Sequence, residues 1–479
     1  MAINTQLVFI PSPGAGHLIS AVELAKLILK RDDRFYISVL GMKLPMDLGV
    51  QSYIESLSCT PRLQFINITI DDETATGFLS DKETFFTNFI QSHKPKVKDF
   101  VNSTRSTSRL AGFVLDLFCT CMIDVANEFS VPSYIFFTSS FTFLALGFHF
   151  ESLKKEHHID TSKYRDSDEE LIIPGFKAPY PAKFLPRVMT DQTVAMTTFF
   201  DWIIRFKETK GIIVNTFAEL EPFSLQSHSL PQIYPVGPVV NFNEGGHGRN
   251  SQSETEIIIK WLDAQVESSV VFLCFGSMGR FDAEQIKEIA VAIECSGHKF
   301  LWSLRRPSPK GAMEMPSNYE DFQEVLPQGF IERTNGIGKV IGWAPQVAIL
   351  SHPAVGGFVS HCGWNSTLES LYFGVPIATW PLFADQQMNA YVLVKEWGLA
   401  VEIRMDYFMD IEGRCEHVDI VGAKEIECGI RKLMAEGEKS EIRKKAKEMK
   451  EKSNAAMEEG GSSYASLGLL IEDVISNIS

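Results

Sequence analysis

A chain of 479 residues has room for two or three domains, each large enough to bury a core without metals or disulfides. Apolar residues make up 45% and charged residues 22%, which excludes disorder, collagen-like repeats and coiled coil. Lys and Arg number 45 against 60 Asp and Glu, a formal charge of -15. A surface of that sign repels phosphate backbones and anionic lipid, so no nucleic acid is expected as a partner. An anionic substrate would need local donors acting against the global field.

The first residues carry no positive run ahead of the short apolar stretch Leu7–Ile10, unlike a secretory signal. The first strands are expected at Gln6–Ile10, Phe35–Leu40, Leu63–Ile66 and Gly112–Asp116. Next, Ser133–Phe150 is broken by Ser and Thr and ends beside His149. It falls short of the ~20 apolar residues of a span, and reads as strand Ser133–Phe137 followed by a helix. No stable membrane insertion is expected, and a cytoplasmic location is. Strand Gly211–Asn215 closes the first half. The polar, Gly-rich run 241–253 is a linker.

In the second half strands are expected at Ser269–Phe275, Phe300–Leu304, Lys339–Gly342, Gly356–Ser360, Val375–Trp380 and Val401–Ile403. A charged helix, Glu438–Met457, and an apolar-faced helix, Ser463–Ile478, follow. The eight cysteines form no C-x-x-C pair, so zinc and redox motifs are absent and reduced thiols are expected. The sequons at Asn67, Asn102 and Asn365 are chance matches without a signal.

Strands alternating with amphipathic helices are the pattern of parallel α/β sheets. Each half opens alike. Strand Gln6–Ile10 meets PSPGAG, then a helix from His17 striped by Leu18, Val22, Ala25 and Leu29. Strand Ser269–Phe275 meets GSMGRF, then a helix from Ala283, with Asp282 and Gln285 spaced as a capping box. The expected fold is therefore α/β, with two Rossmann-like parallel-sheet domains facing a cleft at the strands' carboxyl ends.

The stretch Trp343–Gln386 carries the most chemistry. Strand Gly356–Ser360 runs into His361-Cys362-Gly363-Trp364, and a helix begins near Asn365 and Ser366. A glycine turn feeding a helix N-terminus seats phosphate without lysine or metal. His361 can add a donor, Trp343 offers a flat face to a base, and Glu369 can accept from ribose hydroxyls. An ordinary strand–helix unit, with Trp343 and Trp364 in the core, is the competing reading. Similarly, His17 closes the first glycine loop and Asp116 ends a strand. As a pair they suit general-base chemistry, a neutral imidazole oriented by a carboxylate. Singly they could be a helix-start donor and a turn residue.

In length and wording, the stretch ending HCGWNSTLES and DQ resembles the 44-residue donor-binding signature of plant family 1 UDP-dependent glycosyltransferases. The resemblance runs from PSPGAGHL to GGSSYASL, and within the family it is strongest to enzymes glucosylating flavonoids, other phenolics and triterpenoids. It implies the GT-B type of fold, with an acceptor-binding domain over 1–240, the linker 241–253, a UDP-sugar domain over 254–460, and a final helix, 461–479, packing back on the first domain. It implies that Trp343 stacks on uracil, that the Ala344 backbone bonds it, and that Gln346 and Glu369 hold the ribose. His361, Asn365, Ser366 and Ser277 would hold the diphosphate, and Trp364, Asp385, Gln386 and Thr138 the sugar. Relatives often have Thr at Ser277; the hydroxyl is kept. Relatives using glucuronate have Arg at Trp364, and those preferring galactose have His at Gln386.

The resemblance further implies that His17 and Asp116 form a catalytic dyad. His17 would deprotonate an acceptor hydroxyl as it attacks the anomeric carbon of UDP-glucose, giving a β-glucoside by inversion. No cofactor and no metal are implied: UDP-glucose is a co-substrate, and the chain has no clear Asp-x-Asp motif near the site. The expected partners are a UDP-sugar and a small lipophilic hydroxylated acceptor, and a monomer is expected. The acceptor pocket is expected around Gly14, Phe118, Phe200 and Phe383, with Phe85, Phe86 and Phe199 as weaker candidates among 35 Phe.

Two rivals lack their motifs. A dinucleotide oxidoreductase needs G-x-G-x-x-G after the first strand, which neither PSPGAGHL nor GSMGRF supplies. A non-catalytic sugar-nucleotide binder would not need both His17 and Asp116.

Overall fold

The computed structural model describes residues 4–44, 53–54, 60–78, 81, 84–104, 108–222, 230–242, 252–308, 315–409, 419–435 and 440–478. The chain forms two compact units. The first comprises Met1–Lys163, Val188–Asn241 and Ser453–Ser479, and the second Tyr164–Arg187 and Phe242–Lys452. Most of the 241–253 linker lies outside the described residues.

In the first unit the strands are β1 (Asn4–Ile10), β2 (Phe35–Met42), β3 (Leu63–Ile68), β4 (Ser108–Asp116), β5 (Ser133–Phe137), β6 (Gly211–Val214) and β7 (Gln232–Pro235). They form one parallel sheet in the order β3-β2-β1-β4-β5-β6-β7. β7 had no distinct signal: it is four residues long and ends in Pro235. Helix α1 (Ala15–Arg31) buries Leu18, Val22, Ala25 and Leu29, the expected stripe, against Phe9, Ile37 and Val39.

Helix α2 (Ser462–Ser476) returns to this unit and adds Leu467, Leu470, Ile471 and Val474 to the same core. Full burial of such side chains contributes roughly 1.5–3 kcal/mol each. The helix is also pinned by polar contacts. Tyr134 Oη donates to Asp473 Oδ2 at 2.6 Å, Lys210 Nζ lies 2.9 Å from Asp473 Oδ1, and the Arg31 guanidinium sits 3.1 Å above the Tyr464 ring.

The second unit has β8 (Val270–Cys274), β9 (Lys299–Ser303), β10 (Gly338–Ile341), β11 (Val355–Ser360), β12 (Ile377–Thr379) and β13 (Ala400–Glu402). They pair in parallel in the order β10-β9-β8-β11-β12-β13. Both sheets thus repeat one winding, with the strand order reversing beside the unit's first strand. The reversal lies between β1 and β4 in one unit and between β8 and β11 in the other; His17, Asp116, Ser277 and His361 stand at or after the ends of those four strands, while Trp343 follows β10 and Asp385 follows β12.

One local expectation fails. Asp282 makes no side-chain capping bond to the helix Ala283–Ser296. Gln285, buried at 4% exposure, pairs instead with the Val421 backbone: Nε2 donates to its carbonyl at 2.9 Å and Oε1 accepts its N–H at 2.8 Å. Two bonds to a fixed backbone outcompete a capping bond at a solvated helix end.

The segment Tyr164–Arg187, in the sequence part of the first half, belongs to the second unit. Tyr180, fully buried, donates its hydroxyl to the Phe184 carbonyl at 2.8 Å and packs edge-on against Tyr391 at 4.7 Å.

Candidate active site

In the first unit, β1 and β4 are neighbours with Ile10 opposite Leu115. That register sets the loop after β1 and the first turn of α1, which holds His17, beside the end of β4, where Asp116 stands. His17 Nδ1 lies 2.7 Å from Asp116 Oδ2. Asp116 Oδ1 accepts the Phe118 N–H at 3.1 Å, so both carboxylate oxygens are engaged. The carboxylate side chain is 2% exposed and the imidazole 29%. An ionised carboxylate can only accept, so in the neutral ring Nδ1 carries the proton and Nε2 the lone pair. Thr138 Oγ1 lies 3.1 Å from the same Nδ1, beside the base.

One aromatic ring packs on this pair, and two more pack on that ring. The Phe118 ring is 5.2 Å from the imidazole, with Phe86 at 5.4 Å and Trp202 at 4.8 Å from Phe118. Trp202 was not expected, since one Trp within the apolar run of helix Val194–Phe206 reads as core. Phe85 and Phe199 are core rings, against Phe89 and Phe143 respectively. Phe200 is 4% exposed, its ring meeting Phe199 and the Lys154 ammonium. Gly14 caps α1, and a Cβ there would meet only His17 Cδ2, at 3.7 Å.

In the second unit, β8 and β11 are neighbours with Cys274 opposite Ser360, which joins Gly276-Ser277 to His361. Gly276 has φ +75, and a Cβ there would lie 2.5 Å from His361 Nε2; only glycine lets this backbone approach the ring. Burial pushes the His361 imidazole down to about 4, leaving it neutral at pH 7. Among the described residues its Nδ1 has no hydrogen-bond partner. The helix Trp364–Phe373 starts on Gly363 and ends on left-handed Gly374, which puts Asn365 and Ser366 in its first turn.

Gln346 ties this turn to the next. Its Nε2 donates to Ser366 Oγ at 2.8 Å and to Glu369 Oε2 at 2.6 Å. Burial pushes the Glu369 carboxyl up to about 7, with the Gln346 bond opposing. Trp343 is half-buried, its backbone N–H donates to Asn318 Oδ1 at 3.1 Å, and the Arg305 guanidinium lies 5.0 Å from its ring centre. Arg305 lies two residues past β9's carboxyl end, the signal that could have marked it. Ala344 is buried, as is Trp364, which packs toward Trp397 at 6.5 Å.

The Gln386 side chain is 4% exposed, and its Oε1 accepts the N–H groups of Leu382 at 2.9 Å and Phe383 at 3.0 Å. With the oxygen engaged, Nε2 is the amide's remaining polar function, and it can only donate. Phe383 is half-buried against the core of this unit. Asp385 Oδ2 accepts from Asn389 Nδ2 at 3.0 Å, a partner beyond the end of the signature stretch.

A family model described as UDP-glucoronosyl and UDP-glucosyl transferase matches residues 222–413. UDP-glycosyltransferase 71E1 of Stevia rebaudiana is 52% identical over 98% of both chains. A putative UDP-glucose flavonoid 3-O-glucosyltransferase 3 of Fragaria ananassa is 52% identical, covering 98% of this chain and 99% of its own. The crystal structure of Medicago truncatula UGT71G1 complexed with UDP-glucose superposes with a TM-score of 0.85 at 41% identity, covering 98% of each chain. With similarity at this level over nearly its whole length, and with two parallel-sheet α/β units, the chain belongs to the plant family 1 UDP-glycosyltransferases and is a glycosyl-transferring enzyme.

Proposed function

We propose that the enzyme transfers glucose from UDP-glucose to a hydroxyl of a small lipophilic acceptor, with inversion, giving a β-glucoside. The observation that carries this reading is the 2.7 Å contact between His17 Nδ1 and Asp116 Oδ2. It leaves the Nε2 lone pair of the neutral ring to take the acceptor's proton, while the carboxylate stabilises the imidazolium that forms. The oxygen attacks the anomeric carbon, the bond to UDP breaks, and the electron pair leaves on the diphosphate.

On this reading the second unit holds the donor. Trp343 takes the uracil face, and Glu369 and Gln346 the ribose. Ser277, Asn365, Ser366 and neutral His361 donate to the diphosphate, and Asp385 and Gln386 meet the hexose. Backbone and neutral donors at a helix start stabilise the departing phosphate, so no divalent cation is required.

Among flavonoids, other phenolics and triterpenoids, the rings of Phe86, Phe118 and Trp202 near the base favour flat phenolic acceptors, which can meet aromatic edges and faces. The Fragaria ananassa relative, named for flavonoid 3-O-glucosylation, supports the same class. The test is UDP release from UDP-glucose with a panel of flavonols, stilbenes, simple phenols and triterpenes, with proton NMR of the product. A large anomeric coupling, as in a β-linkage, is expected on phenolic products; an α-linked product or no turnover with any phenol refutes the proposal.

A further inference from the structure

We infer that Asn389 is a positioning residue for the sugar end of the donor site, its one side-chain amide holding two donor-binding turns in register. The inference rests on the donor assignment proposed above for Asp385 and the His361 loop. Asn389 is 2% exposed. Its Nδ2 donates both to Asp385 Oδ2 at 3.0 Å and to the Cys362 carbonyl at 3.1 Å. The two hydrogens of one planar NH2 group serve two acceptors that come from different turns. One turn follows β11 and carries His361; the other follows β12 and carries Asp385.

Both turns contain strained backbone. Cys362 has φ 62 and Ala384 has φ 60, left-handed conformations that are unfavourable for a residue bearing a Cβ. Such conformations persist where the surroundings hold them. Cys362 N–H is already held by Ser360 Oγ at 3.1 Å, and Asn389 holds its carbonyl. On the other side Ala384 directly precedes Asp385, whose carboxylate Asn389 holds and whose carbonyl accepts the Asn389 N–H at 3.0 Å. The tie therefore fixes the spacing between the phosphate-side turn and the hexose-side carboxylate, and the orientation of that carboxylate. The titratable groups on these two turns include Asp385 itself, the buried His361 imidazole, which is neutral at pH 7, and the Cys362 thiol, whose pKa burial and the Asp385 charge push up, so the thiol stays protonated.

The test uses the full-length enzyme with Asn389→Ala and the isosteric Asn389→Asp. Dissociation constants are measured for UDP, and kcat and KM for UDP-glucose with one phenolic acceptor, from pH 5.5 to 8.5. UDP lacks the hexose, and the Cys362 N–H keeps its bond to Ser360 Oγ, so UDP affinity should fall far less than kcat/KM for UDP-glucose. For UDP-glucose, kcat/KM should fall roughly 10–100-fold in Asn389→Ala, the scale of a lost bond to a charged group. At pH 8.5 Asn389→Asp should lose at least as much, since two carboxylates then face each other. As the pH falls, carboxylates this close share a proton, and the O–H···O contact restores part of the tie. The Asn389→Asp deficit should therefore shrink toward pH 5.5 while that of Asn389→Ala stays flat. This pH signature keeps the test valid if the alanine variant does not fold. Wild-type kcat/KM in Asn389→Asp at pH 8.5, or a loss that is flat with pH and matched by lost UDP affinity, overturns the inference. If wild type itself does not bind UDP, the donor assignment fails instead, and the inference with it.

Discussion

Asp116→Asn isolates the orienting half of the dyad. The Asp116 carboxylate accepts from two donors, His17 Nδ1 at 2.7 Å and the Phe118 N–H at 3.1 Å. An amide has the same shape but only one accepting oxygen. If that oxygen stays on Phe118, the NH2 group points at Nδ1 and forces the imidazole into the tautomer with its proton on Nε2, which cannot accept from the substrate. If it turns toward His17, the NH2 group meets the Phe118 N–H, leaving donors opposed at a site where the side chain is 2% exposed. An unmade bond of that kind costs about 1–3 kcal/mol, or roughly 5–150-fold in the population of the competent tautomer. We therefore expect kcat to fall by that factor, with a smaller change in KM. His17→Ala removes the base itself and should lose more, on the order of 10²–10⁴. Both substitutions lie in the first unit, so UDP affinity measured by calorimetry should be unchanged. Steady-state UDP release with UDP-glucose and a phenol gives the rates. A wild-type kcat in Asp116→Asn, or near-normal turnover in His17→Ala, refutes this account of the dyad.

Excess EDTA should leave activity unchanged; full loss that Mg²⁺ or Mn²⁺ restores would show that the phosphates are met by a cation. UDP-glucose should exceed UDP-galactose and UDP-glucuronate in kcat/KM, because a hydrogen-bonding site rejects a misplaced hydroxyl and a glucuronate carboxylate would sit beside Asp385. Gln386→His should move the donor ratio toward galactose, with total activity falling because the Leu382 and Phe383 N–H groups lose their acceptor; equal use of the three donors by wild type would contradict this. Glu369 should make UDP binding pH-dependent. Burial raises its carboxyl to about 7, so it is ionised above that pH and accepts ribose hydroxyls, and protonation below it weakens that role. UDP should therefore bind more weakly at pH 6 than at pH 8, and Glu369→Gln should remove that part of the difference; an identical pH dependence in both would exclude the role. The same raised value means that this group's contribution to stability without ligand declines as pH rises from about 4.5 to about 7.

Much of the fold was legible because most of the strands announce themselves locally. Every strand expected in either half has a counterpart, and the stripe on α1 packs as its spacing implies. The candidate donor residues stood out because most lie in one contiguous run, Trp343–Gln386. Features set by contacts between distant segments were not. The two bonds of Gln285 to Val421 depend on where the backbone 136 residues later lies, so the local capping pattern misled. Phe199, Phe200 and Trp202 sit on one helix and are chemically alike, yet only tertiary packing separates the first two from the ring beside Phe118. Arg305 and Asn389 fall outside any motif because their roles lie in what they touch. Residues Tyr164–Arg187 lie within the first half in sequence while belonging to the second unit, since burial of Tyr180 rather than chain proximity decides their place.

The return of α2 to the first unit constrains how the protein emerges from the ribosome. Synthesis is vectorial, and a nascent domain ordinarily folds as soon as its chain is available. Here the core around Phe9, Ile37 and Val39 lacks Leu467, Leu470, Ile471 and Val474 until Phe242–Lys452 has been translated. The first unit must therefore wait with an uncovered apolar face while the second completes its own sheet. A stalled or truncated transcript yields an intact second unit tethered to a sticky, unfinished first one, a natural client for chaperones. Expression yield should thus depend more steeply on losing the last turns of α2 than on trimming any exposed loop of comparable length.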